Sequence, residues 1–86
     1  MILMENIIDA RLRYAYRIEL NTMRDVREFV SAAAKCEDRV IIRAGALVTN
    51  AKSLLGVILA SKIDWNDLIL ESDRDHYGEF RKFIID

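Results

Sequence analysis

Few residues in this 86-residue chain can exchange protons, attack a substrate or hold an ion, and their spacing limits the chemistry open to it. The single histidine, His76, and the single cysteine, Cys36, stand far apart in sequence, so there is no zinc ligand set and no internal disulfide. His76, within SDRDHYGEF, reads as a solvated residue at the opening of a helix, and Cys36 as an inert small side chain at the end of another. Asp64, Asp67, Glu71, Asp73 and Asp75 follow no calcium-loop pattern and read as a solvated loop and helix start. With no paired acid and base, no activated nucleophile and no cofactor motif, the chain is not expected to be an enzyme.

Two helix starts offer a different chemistry, because unpaired backbone N–H groups and the helix dipole favour anions there. At the first, Thr22 and Arg24 could hold a phosphate or carboxylate; a capping threonine beside a surface arginine is the competing reading. At the second, in NAKSLLGV, Lys52 and Ser53 are placed in the first turn, where a phosphate added to Ser53 would be favoured; simple capping competes here too. Leu54, Leu55 and Ile58 follow. With Val57 and Leu59 also competing for burial, these span a wider arc than one sheet face covers, so some apolar surface must stay outside. Such a patch is either scattered exposed leucine or a docking site for another protein.

The elements that must position these residues follow from periodicity. From Arg11 to Leu20 apolar and polar residues alternate strictly, with Leu12, Tyr14, Tyr16, Ile18 and Leu20 on one face: a half-buried strand. Thr22 then caps a helix whose apolar stripe is Met23, Val26, Phe29, Val30, Ala33 and Ala34. Val40 to Ile42, a turn at Gly45, and Leu47 with Val48 predict an antiparallel hairpin. Asn50 is the expected cap of a second helix from Ala51 to about Ala60. Leu68 to Leu70 predict a last strand, and Tyr77, Phe80, Phe83 and Ile84 a closing helix that starts at Ser72 or Asp73.

Length and composition allow one compact core and no second domain: 52% of residues are apolar, 31% charged, and proline is absent. A net charge of -1 advertises neither nucleic acid nor an anionic membrane as a partner. No apolar run is long enough to span a bilayer, and MILMENIIDA lacks the basic start of a secretory signal, so a cytoplasmic protein is expected. The order strand, helix, strand, strand, helix, strand, helix predicts an α+β open-faced sandwich, a four-stranded antiparallel sheet with three helices on one face.

The segment TNAKSLLGV, residues 49–57, resembles the serine-site stretch V-N-x-K-S-[IL]-[ML]-G-[VL] of the histidine-containing phosphocarrier (HPr) family of the bacterial sugar phosphotransferase system. The likeness runs from about Tyr14 to Ile84 in the same βαββαβα order, leaving residues 1–12 as an amino-terminal extension to an HPr-like domain over 13–86. It implies that Ser53 matches the regulatory serine phosphorylated by HPr kinase, and that Leu54, Leu55 and Ile58 match the apolar docking patch. The other half of the family signature is missing, since LNTMRDV stands where the family has G-[IL]-H-A-R-P-A. Thr22 takes the place of the phosphorylated histidine, and Arg24 that of the phosphate-binding arginine. A threonine cannot carry a labile phosphoramidate, so histidine phosphotransfer is expected to be lost, as in catabolite-repression variants that act by binding regulators.

Three functions follow as expectations. The first is a regulatory or adaptor module that docks on a protein partner, the kinase or a transcriptional or metabolic regulator, through Leu54, Leu55 and Ile58, modulated at Ser53. The second is a phosphate relay with Thr22 or His76 as an atypical acceptor. The third is a small-anion binder that uses Thr22, Arg24 and Lys52. Ile2, Leu3, Ile7 and Ile8 of the extension could pack on the sheet, mediate self-association or belong to a poorly ordered leader.

Overall fold

A computed structural model of the protein describes residues 12–85. The expected extension lies outside them except for Leu12. Strand β1 (Tyr14–Ile18) leads into helix α1 (Met23–Ala34), then strands β2 (Val40–Ala44) and β3 (Leu47–Asn50), helix α2 (Leu54–Asp64), strand β4 (Leu68–Ser72), helix α3 (Tyr77–Phe80) and a 3₁₀ turn over Arg81–Phe83. The fold is α+β. Its four strands form one antiparallel sheet in the order β1-β4-β2-β3.

Alternation along the strands decides which face is dry. Tyr16, Leu70 and Ile42 stand in register across three strands, as do Ile18, Leu68 and Ala44. Their face joins Val26, Phe29 and Ala33 of α1, Val57 and Ala60 of α2, and Phe80 of α3 in one core, which places all three helices on the same side of the sheet. Phe29 is its aromatic hub, with ring centroids 5.2 Å from Phe80 and 5.6 Å from Phe83. On the opposite face Glu71 is fully buried, its Oε2 accepting from Arg43 Nε at 2.6 Å and its Oε1 from the Leu12 amide at 3.3 Å.

Thr22 caps α1 as its sequence predicts, accepting from the Asp25 amide at 3.1 Å, while Asp25 Oδ2 accepts from the Asn21 amide at 2.9 Å. The expected hairpin also forms. Ala44 pairs with Leu47 across a two-residue turn in which Gly45 alone has a positive φ, 63°, the pattern of a type II′ turn.

Two expectations are corrected. The second helix begins at Leu54, not Ala51, and runs on to Asp64, with Ser53 rather than Asn50 as its cap. Asn50 instead closes the turn before it, Oδ1 accepting from the Lys52 amide at 2.9 Å. The closing helix is only the four residues Tyr77–Phe80. Ser72 ends β4 and donates to the Arg74 carbonyl at 2.6 Å, and it is Asp75 that accepts from the Tyr77 amide, at 3.0 Å. Phe83 then sits in the 3₁₀ turn and Ile84 is extended, bridging back to Ile18 on the free edge of β1.

Candidate functional site

The predicted site residues divide among three places. Ser53, at the N-cap of α2, is half-buried and accepts from the Gly56 amide at 3.1 Å, which satisfies one of the orphan donors of the first turn. Gly56 is required there by close approach, since a Cβ would overlap Thr49 Oγ1 of β3. Lys52 precedes the helix, and its ammonium turns away to donate to the Cys36 carbonyl at 2.7 Å, just beyond the C-terminus of α1. There it meets the negative end of that helix.

Thr22 and Arg24 lie at the other end of α1. A helix of 12 residues separates them from Lys52 by about 18 Å, so the three anion-binding candidates do not form a single site. Arg24 is largely exposed and donates to Glu28 Oε2 at 3.1 Å. A shallow groove of about 220 Å³ runs between Thr22, Met23 and Val26 of α1 and Ile58, Ser61 and Lys62 of α2. The cation that the fold brings to Thr22's groove is therefore Lys62, which the sequence reading did not single out.

The apolar surface of α2 is real but differently composed. Leu54 and Leu55 are 42% and 76% exposed, Leu59 48% and Ile63 54%, with Trp65 just past the helix at 57%. Ile58 is half-buried and packs against the core. At 100° per residue, Leu55, Leu59 and Ile63 share the face opposite the buried Val57 and Ala60, while Leu54 and Ile58 flank it. In the competition for burial Val57 wins and Leu59 loses.

A cleft of about 660 Å³ holds what the sequence reading undervalued. His76 is not a solvated helix residue: its Nε2 lies 2.6 Å from Asp38 Oδ1, and each side chain is only 14% exposed. An ionised carboxylate accepts, so Nε2 carries the proton and Nδ1 faces Glu79 Oε1 at 3.7 Å. Burial pushes the Asp38 pKa up, but the hydrogen bond from His76 and the nearby amides of Asp38 and Arg74 outweigh it, and the carboxyl is held below its ordinary value. Among the described residues its buried Oδ2 finds no well-aligned hydrogen bond. Lys35, Arg74 and Glu79 rim the cleft. Cys36 also lines it, but its thiol is turned to the Ala32 carbonyl at 3.5 Å, and burial, then the charges of Asp38 and Glu79, raise its pKa. The dyad therefore fastens the loop after α1 to the start of α3. The separation of 38 residues between its members left no sequence signal for it.

Beside it, Asp75 Oδ1 accepts from the Tyr16 hydroxyl at 2.6 Å, which holds the Asp75 carboxyl down and pushes the phenol up to about 12. Among the described residues no helix is long and apolar enough to cross a membrane. The chain matches no protein-family model, no curated protein and no solved structure.

Proposed function

We propose that the protein is a non-catalytic, HPr-like regulatory or adaptor module of the cytoplasm, which docks on protein partners through the outer face of α2 and is modulated by phosphorylation at Ser53. The observation that carries this reading is the exposure of Leu54, Leu55, Leu59 and Ile63 on a helix of 11 residues, a concentration of apolar surface that scattered leucines do not explain. The resemblance of residues 49–57 supports it, as does the βαββαβα order. A phosphate on Ser53 would sit at the N-terminus of α2, where the amides and the helix dipole favour it and no acidic residue of the first turn opposes it.

The test is incubation with an HPr kinase and ATP, read by intact mass. One phosphoryl group is expected on the wild-type chain and none on Ser53→Ala, a variant that should lose only ~1 kcal/mol of stability with its cap. Leu55→Asp should cut the kinase's kcat/KM at least tenfold while leaving the circular dichroism unchanged. An unmodified wild-type chain, under conditions that modify a genuine family member, overturns the reading.

A further inference from the structure

We propose that residues 1–11 fold back over the outer face of the sheet, with Leu3, Met4, Ile7 and Ile8 packed on Ile41, Val48 and Ile69. The inference is independent of the docking reading, because it concerns the face that the three helices leave open. That face carries Arg17, Ile69, Arg43 and Val48 in one row across β1, β4, β2 and β3, and Ala15, Glu71, Ile41 and Asn50 in the next. Among the described residues no helix lies on it. Yet Glu71 is 0% exposed, the Arg43 side chain 13%, and Ile41 and Ile69 are half-buried. An ion pair in the middle of a bare sheet face keeps its water, because desolvating two charges is costly. This pair has lost its water, so chain must lie above it.

The course of the backbone identifies that chain. Tyr14 pairs with Ser72 at the start of β1, so a strand carried straight on would bring Leu12 opposite Arg74 and away from Glu71. Instead the chain bends at Arg13, and the Leu12 amide donates to Glu71 Oε1 at 3.3 Å. Leu12 thus stands on the outer face beside the buried carboxylate, and residues 1–11 set out from there. A segment tethered at the face it covers has an effective concentration in the millimolar range, which a second copy or a separate partner does not match. Its sequence also fits. Leu3, Met4, Ile7 and Ile8 fall on one side at helical spacing, and Glu5, Asn6 and Asp9 on the other. Eight residues of helix span about 12 Å, enough to cross from β4 over β2 to β3 at about 4.8 Å per strand. Ile69, Ile41 and Val48 are spread over those three strands.

Methyl NOE spectra of the full chain, labelled at the isoleucine δ1 carbons, test this. Cross-peaks are expected from Ile7 or Ile8 to Ile41 or Ile69. They should be absent from an isotope-filtered spectrum of mixed labelled and unlabelled chains, which passes only contacts between copies. Thiol accessibility gives a second readout. In a Cys36→Ala background, Ile69→Cys should react with dithionitrobenzoate at least ~10-fold more slowly than Leu55→Cys on the open face of α2. Adding Ile7→Asp with Ile8→Asp should raise the Ile69→Cys rate at least ~10-fold, with circular dichroism and the Leu55→Cys rate unchanged. Missing cross-peaks, cross-peaks that pass the filter, an Ile69→Cys chain as reactive as Leu55→Cys, or a rate indifferent to the two acids overturns the proposal.

Discussion

Asp38 shows how one side chain changes meaning when its partner arrives from elsewhere in the chain. Beside Glu37 it reads as one more surface acid; opposite His76 it becomes half of a largely buried hydrogen-bonded pair. Its folded pKa lies below its ordinary value of 3.8, so the ionised form is the one that folding favours. That stabilisation is present in full above the unfolded pKa, and is lost as pH falls through the lower folded value. Urea unfolding of the wild type should therefore show stability declining below about pH 4. Asp38→Asn should flatten that decline and cost ~1–3 kcal/mol at neutral pH through the weakened pairing. An unchanged acid limb would remove Asp38 from the account. Lys52 changes meaning in the same way: its ammonium belongs to the end of α1 through the Cys36 carbonyl rather than to Ser53 beside it in sequence.

At the scale of elements, α2 is held by a hydroxyl cap and by one point of close approach. Gly56 lies in its first turn, where Thr49 of β3 comes so near that a methyl group would collide with Oγ1 and press on Cβ. Alanine is the better helix former by ~1 kcal/mol, so propensity alone predicts that Gly56→Ala stabilises. The collision predicts the opposite sign, a net loss of ~1–3 kcal/mol. Thr49→Ala in the same chain should recover part of it, measured as a coupling in a double-mutant cycle of denaturant unfolding. Strict additivity would show that Thr49 is not the obstacle. The C-terminal segment teaches a related lesson, because Phe80 and Phe83 keep helical spacing yet only four residues are α-helical. Both rings are satisfied by Phe29, and the chain then straightens.

For the molecule as a whole, the straightened end closes an exposed edge. β1 is an outer strand, and the Glu19 amide donates to the Phe83 carbonyl at 2.8 Å while the Ile85 amide donates to the Arg17 carbonyl at 2.9 Å. Unpaired edges template association with other chains, and these bonds blunt this one. Ile85→Pro deletes the second donor without disturbing Ile84, which is already extended as a residue before proline must be. It should cost ~1 kcal/mol in thermal or chemical unfolding and raise light scattering on heating. Unaltered scattering and Tm would mean that the β1 edge is protected by other means.

The strands, the first helix with its Thr22 cap, the Gly45 turn and the α+β class were legible in the sequence, because each depends on period, cap or turn chemistry within a few residues. The start of α2 was misplaced by three residues because Asn50 and Ser53 are both competent caps, and only the packing of Ala51 and Val57 in the core selects between them. The sequence by itself also determined that α2 has more apolar residues than one sheet can cover. Which of them stay outside was a tertiary decision: Val57 and Ile58 turn toward the sheet and α1, and Leu55, Leu59 and Ile63 do not. The His76–Asp38 pair and the Arg43–Glu71 pair were decided wholly by the tertiary structure. Local pattern records which face of an element is apolar; only the closed sheet, with helices laid on it, sets which distant charges share a space that water has left.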